Sequence, residues 1–270
     1  MTVSKAPPGA LVTGAAQRIG RAIAQGLADD GWHVVIHYHR SADAANETAA
    51  AIEAAGGKAT AIAADLSDPA AAARLVAAAA QATGELGCLV NNASMFAADD
   101  IATVGADSFD AMMAVNLRAP VLLSQAFAEA LPDGAEGVIV NLLDQKLVNP
   151  NPDFLSYTLS KYGLSGLTTT LAMALGPRIR VCGVAPGLVL PSADQTPAQF
   201  ASVHGRTPLG RGATAVDIAG AVRYLVSAVA VTGEVMLVDG GQHLVGSARD
   251  VMFIDANDSG GDSGESGNGA

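Results

Sequence analysis

Tyr157-Thr158-Leu159-Ser160-Lys161 sets a phenol and an ammonium group four positions apart. In a helix that spacing puts both side chains on one face, one turn from each other. A lysine charge favours the phenolate, so Lys161 is expected to lower the pKa of Tyr157 until the pair exchanges a proton near neutral pH. A little upstream stands Asp144, whose part in such chemistry depends on the bond being reduced. Reduction of a carbonyl builds negative charge on oxygen, which a neutral hydroxyl steadies and a carboxylate opposes. Reduction of a C=N bond passes instead through iminium character, which a carboxyl group compensates or supplies with a proton. Asp144 therefore fits imine reduction better than alcohol oxidation. Its plainer reading is an acidic residue on a surface loop after a strand.

A second cluster points to the source of electrons. Thr13-Gly14-Ala15-Ala16-Gln17-Arg18-Ile19-Gly20 follows an apolar run and opens a helical one. Gly14 permits a tight turn, Gly20 permits close approach of helix and strand, and the helix N-terminus, with Arg18 and Ile19, faces a pyrophosphate. The next apolar run ends in His37-Tyr38-His39-Arg40-Ser41, without the acidic residue that would hold the ribose hydroxyls of NAD. Arg40 and Ser41, with His39, offer donors for a 2′-phosphate, which selects NADP(H). The alternative for Arg40 is a solvated side chain at a helix start.

These residues need a scaffold, and the rest of the chain supplies its pattern. Short apolar runs at 10–13, 33–38, 59–64, 88–91, 137–141, 178–184 and 235–238 read as strands. Ala-rich stretches at 19–29, 42–55, 69–83, 108–130, 157–175 and 215–227 read as helices. Ser41, Ser67, Asp68 and Thr214 stand at starts as candidate caps, and Gly31 and Gly56 at ends. Strict alternation of the two kinds predicts an α/β fold with one seven-stranded parallel sheet flanked by helices, and 270 residues suit one such domain. Residues 187–211, with Pro191, Pro197 and Pro208, lack periodicity and are expected to form a substrate loop. From 247 to 270 the chain turns to Gly, Ser, Asp, Glu and Asn, an acidic tail expected to be disordered, with little to bury beyond 251–254.

From Leu11 to about Leu244 the chain resembles the short-chain dehydrogenase/reductase family. Matching motifs stand in order: Thr13 to Gly20, Asp65-Leu66, Asn91-Asn92-Ala93, Asn116, Tyr157 with Lys161, Pro186-Gly187 and Asp239-Gly240-Gly241. The resemblance implies a single Rossmann-type doubly wound domain over 1–246. It implies that Asp65 and Leu66 flank the adenine, and that Asn92 stabilises the sheet near the cofactor, with Ala93, Ser94, Pro186 and Gly187 also at the cofactor. Asn116 would hold a proton-relay water, and Lys161 would also bind the nicotinamide ribose. Two residues depart from the general pattern: Arg18 stands where most members have Gly, and Asp144 where most have a catalytic Ser. Both occur together in pteridine reductases, which are also resembled by 37–41, by Asn91 to Phe96 and by the run from Asp144 to Lys161; bacterial dihydromonapterin reductases are a related group. The implied reaction is NADPH-dependent reduction of a dihydropterin C=N bond to a tetrahydropterin, with Tyr157 supplying a proton and Asp144 hydrogen-bonded to it or sharing the proton. The pterin would lie between the nicotinamide and Phe96, with Ser94 bonding its ring system, Arg18 near its edge and Leu188 lining the pocket. Phe96 as a core residue is the alternative. The resemblance also implies a homotetramer.

Composition bounds the partners. A net charge of −11 argues against nucleic acid, which needs clustered Lys and Arg. No run of about 18 apolar residues suggests a membrane span, and the first residues lack the apolar stretch of a secretory signal, so a cytoplasmic location is expected. Cys88 and Cys182 sit in apolar runs without a Cys-x-x-Cys partner, which predicts buried, reduced thiols. His37 and His39 would share a strand face, but no third ligand stands at a suitable spacing, so no metal is expected. Two competing functions remain: a carbonyl reductase acting on a ketone such as a 3-oxoacyl group, opposed by Asp144 and Arg18, and a catalytically quiet NADP-binding protein, opposed by Tyr157, Lys161 and Asn116.

Overall fold

Runs of Val, Ile, Leu and Ala that are apolar on both faces form strands only if helices cover both sides of the sheet, and the computed structural model, which describes residues 8–191 and 196–253, shows that arrangement. The strands are β1 (Gly9–Val12), β2 (His33–Tyr38), β3 (Lys58–Ala63), β4 (Leu86–Asn91), β5 (Gly137–Leu142), β6 (Ile179–Pro186) and β7 (Val235–Val238). They pair in the order β3-β2-β1-β4-β5-β6-β7, all parallel. The expected seven-stranded, doubly wound sheet is therefore observed.

The helices are α1 (Arg18–Asp29), α2 (Ala42–Ala54), α3 (Ala71–Thr83), α4 (Ala106–Met113), α5 (Ala119–Ala130), α6 (Leu155–Leu175), α7 (Pro197–His204) and α8 (Ala215–Ser227). Alternate strand residues sort them into two layers. Ala10 and Val12 pack with Ile23 and Leu27 of α1, Ile52 of α2 and Ile218 of α8. Leu11 and Val35 pack with Leu75 of α3 and with Leu123 and Phe127 of α5. Strand order reverses between β1 and β4, which opens a crevice at the carboxyl ends of the strands.

Three expectations change. The helix expected over 108–130 is divided: α4 and α5 are separated by a π-helical stretch, Ala114–Arg118, which contains Asn116. Such widened turns commonly aim a side chain at a functional site. The loop expected over 187–211 contains α7, and residues 192–195 of it lie outside the described residues. The chain does not leave the domain at 247. Residues 247–253 pack back onto it, with Asp153 accepting from the Arg249 guanidinium and the Asp250 N–H, and a 3-10 turn at Val251–Phe253. The expectation for 254–270 falls outside the described residues.

Thr214 caps α8 by accepting the Asp217 N–H while the Asp217 carboxylate accepts the Thr214 N–H. Asp68 accepts the Ala70 N–H at the start of α3, whereas Ser41 makes no side-chain cap. Both cysteines are free and buried, and burial pushes the Cys88 thiol up to about 12. Among the described residues no helix is long and apolar enough to cross a membrane.

Candidate active site

The turn after β1 is held from below by a histidine. Gly14, at φ +62°, donates its N–H to His37 Nδ1 at 3.0 Å, and His37 Nε2 lies 3.1 Å from the Ala64 carbonyl oxygen. A carbonyl only accepts, so Nε2 carries the proton and Nδ1 is the acceptor. Burial pushes the imidazole down to about 4, keeping it in the neutral form this bridge requires. His37 and His39 therefore do not share a face: β2 ends at Tyr38, and His39 turns out beside Asp65, 3.6 Å from its carboxylate. Across the crevice, Asn92 Nδ2 donates to the carbonyls of Thr13 and Gly14 (2.8 and 3.1 Å). Thr13 Oγ1 accepts the N–H groups of Asn92 and Ala93, both at 2.9 Å. A Cβ on Gly20 would collide with the Gly14 carbonyl and come within 2.6 Å of Asn92 Nδ2, so only glycine allows this packing.

A cleft of about 770 Å³ lies over this lacing. It brings together Gly14, Arg18, Ile19, Gly20, His39, Arg40, Ser41, Asp65, Leu66, Asn92, Ala93 and Ser94, all expected at a cofactor. The α1 N-terminus, Arg18 and Arg40 make a donor set suited to phosphate. The residues present thus fit a phosphorylated dinucleotide. Arg18 sits at φ +56°, a conformation that favours glycine, and its guanidinium donates to the Pro191 carbonyl at 3.1 Å. The fingerprint turn is thereby tied to the loop after β6. Asp65 is held below the usual carboxylate range, first by the Ser67 hydroxyl.

Parallel pairing sets the ends of β4, β5 and β6 side by side, with Asn91 beside Asn141 and Leu142 beside Val184. Just beyond β5, Asp144 Oδ2 accepts the Tyr157 hydroxyl at 2.9 Å and Oδ1 accepts the Lys146 N–H at 2.9 Å. Lys161 Nζ donates to the Leu142 carbonyl at 2.8 Å and lies 5.4 Å from the Tyr157 ring centroid. Asn116 clamps Met95 from both sides, its Oδ1 accepting the Met95 N–H at 2.7 Å and its Nδ2 donating to the Met95 carbonyl at 3.0 Å. Phe96 is 48% exposed, so it is not a core residue. Its ring stacks on Phe154 at 4.3 Å and meets Tyr157 edge-on at 4.8 Å. Ser94 Oγ donates to the Met95 carbonyl. Pro186, Gly187 and Leu188 continue from β6 outside the cleft lining, with the half-buried Leu188 donating its N–H to Gln242 Oε1 at 2.9 Å.

Burial reshapes the proton chemistry. It raises the Asp144 carboxyl, with the Lys146 N–H, the Tyr157 hydroxyl and the charges of Lys161 and Lys146 opposing. Tyr157 is raised well above the ordinary phenol range, by burial first and then by the Asp144 charge. The expected lowering by Lys161 is thus overturned: the ammonium bonds a carbonyl, while the group that touches the hydroxyl is an anion or its acid. Burial and the neighbouring Asp144 thus favour the protonated phenol over the phenolate. Burial lowers Lys161 to about 8, with Asp144 opposing. The sequence reading missed His37 as a support for the turn, and missed Phe154, a left-handed residue at φ +57° that caps α6 and backs Phe96. His37 carried a signal, an unpaired polar side chain inside an apolar strand; Phe154 carried none.

The family model described as short chain dehydrogenase matches residues 9–199. The chain is similar to the crystal structure of FolM alternative dihydrofolate reductase 1 from Brucella canis, complexed with NADP, at 41% identity and a TM-score of 0.86, over 91% of this chain and 97% of that one. It is 36% identical to pteridine reductase 1 of Leishmania tarentolae, over 90% of this chain and 99% of the relative. It is equally 36% identical to the granaticin polyketide synthase putative ketoacyl reductase 2 of Streptomyces violaceoruber, over 88% of this chain and 97% of the relative. With the parallel sheet, the laced glycine turn and the Tyr157–Lys161 pair in place, the chain belongs to the short chain dehydrogenase family.

Proposed function

We propose that this oxidoreductase uses NADPH to reduce a C=N bond of a dihydropterin to give a tetrahydropterin. The observation that carries the reading is the hydrogen bond from Tyr157 Oη to Asp144 Oδ2, at 2.9 Å in a buried setting. The dinucleotide would be held by Gly14, Ile19, Gly20, Asn92, Ala93 and Ser94, with Asp65 and Leu66 at the adenine, His39, Arg40 and Ser41 at the 2′-phosphate, and Pro186, Gly187 and Lys161 at the nicotinamide end. Bound there, a reduced nicotinamide supplies the hydride. Tyr157 gives its proton to the substrate nitrogen, and Asp144, raised by burial, replaces that proton or steadies iminium charge. Lys161 supplies positive charge below the pair, Asn116 fixes Met95 next to Phe96, and Phe96 offers ring surface to a flat substrate. Ser94, Arg18 and Leu188 complete the wall around it.

Relatives named as an alternative dihydrofolate reductase and a pteridine reductase support the pterin reading. A relative named as a ketoacyl reductase favours the second reading, a ketone substrate, against which stands the carboxyl at Asp144. Steady-state NADPH oxidation with dihydropterins of different C6 substituents and with a panel of ketones separates the two. Preference for dihydropterins is expected, and preference for ketones would reject the proposal. The enzyme is further proposed to act in the cytoplasm as a homotetramer, for which α6 offers the exposed apolar side chains Leu159, Tyr162 and Met173.

A further inference from the structure

Beneath the Asp144–Tyr157 pair lies a set of charges that the proposed chemistry leaves unused. Lys146, in the 3-10 turn Gln145–Leu147, has a side chain only 4% exposed. Its Nζ lies 2.8 Å from Asp250 Oδ2, donates to Asn151 Oδ1 at 2.6 Å and to the Asp153 carbonyl at 3.4 Å, and stands 5.5 Å from the Phe154 ring centroid. Asp250 is brought there by the segment 247–253, which is fastened a second time by Arg249 Nη2 on Asp153 at 2.8 Å. Met252 packs against Met112, Phe154 and Tyr157, and Phe253 stacks on Phe154 at 5.6 Å. An exposed ion pair contributes little, but a buried ammonium stripped of its partner becomes an uncompensated charge that acts on its neighbours. The same residue reaches the proton-donating pair through its backbone: the Lys146 N–H holds Asp144 Oδ1, and the Lys146 charge acts on that carboxyl.

We propose that Asp250 and Lys146 are positioning residues for the proton-donating pair, the carboxylate from the C-terminal segment neutralising the buried ammonium so that the proton of the Tyr157–Asp144 hydrogen bond is retained. This rests on the reading of Asp144 and Tyr157 as the proton source. Among the described residues, the charged and titratable groups around the pair include Lys161 and Tyr162 from α6, Lys146 from the turn after β5, Asp99, which accepts the Ser156 N–H at the start of α6, and Asp250 from the C-terminal segment, with Asp153, Arg249 and Asp100 behind it. From α4 and the π-helical stretch come only the uncharged Met112 and Asn116. Removing the Asp250 charge while Lys146 stays cationic favours carboxylate, phenolate and neutral Lys161 alike. All three changes move proton loss to lower pH.

The experiment is the pH profile of kcat/KM for the parent, Asp250→Asn, Lys146→Met and the double variant, on whichever substrate the parent reduces. Asp250→Asn is expected to move the alkaline limb down by about one pH unit, a shift typical of a charge at this range. Lys146→Met should move it up, and the double variant should return it to the parental position. Asp250→Glu should keep the parental limb. A limb that stays in place in Asp250→Asn, with only the melting temperature reduced, would overturn the proposal and leave the clasp merely structural. If Asp250→Asn fails to fold, Lys146→Met and the double variant decide, since equal displacement in both overturns it too. Ultraviolet titration of Tyr157, taken as the difference from Tyr157→Phe, reads the same shift without turnover. Should the parent reduce ketones and not dihydropterins, the C=N reading falls while the limb comparison still decides this one.

Discussion

At the scale of single residues the proposed catalytic centre is a contest between burial and charge. The spacing of Tyr157 and Lys161 was legible in the sequence because a helix has a fixed period. The direction of the Tyr157 shift was not, because it depends on Asp144 arriving from another element and on how deeply both are buried. Lys161, lowered to about 8 by burial, carries a consequence for rate. Its ammonium is present below that pH and lost as pH rises through it, so kcat/KM should fall on the alkaline side near pH 8, well before an ordinary lysine would titrate. In Lys161→Arg, whose guanidinium stays charged above pH 12, any remaining activity should lack that limb. A pH profile of both proteins checks this, and an unchanged limb in the arginine variant would assign it to another group.

At the scale of elements, the glycine turn was readable as a motif, yet its support was not. Periodicity shows that His37 lies in a strand, but only the pairing of β1, β2 and β3 reveals that its two nitrogens join the Gly14 N–H to the Ala64 carbonyl. This bridge predicts a stability profile. The folded imidazole resists protonation down to about 4 while the unfolded one takes a proton near 6.5, so the stabilisation is present above pH 6.5 and is lost as pH falls towards 4. The full loss amounts to roughly 3 kcal/mol. In His37→Gln, whose amide keeps a donor and an acceptor but does not titrate, the fall in melting temperature between pH 6.5 and pH 4 should be shallower than in the parent. The division of the 108–130 helix was hidden for a similar reason, since a π-helical stretch leaves the apolar pattern on either side intact.

At the scale of the whole molecule, ordered motifs along the chain were enough to predict one seven-stranded, doubly wound parallel sheet and the residues gathered at a cofactor, whereas the strand order and its reversal between β1 and β4 came from the structure. What composition concealed was the return of 247–253: a few apolar and charged residues inside a Gly-, Ser- and acid-rich tail look unstructured until Asp153 and Phe154 are seen to receive them. The molecule carries a net charge of −11, so binding of a further phosphate depends on local donors. Arg40→Glu should accordingly raise the KM for NADPH by at least about tenfold and narrow its advantage over NADH, a change read from steady-state kinetics with both cofactors. The central claim, that a carboxyl beside the phenol suits a nitrogen-bearing double bond, is tested most directly by turnover of one dihydropterin and one ketone by the parent and by Asp144→Ser. The account predicts that the serine variant loses about a hundredfold or more of its kcat on the dihydropterin while its activity on the ketone holds or rises. Full dihydropterin turnover by Asp144→Ser would contradict it.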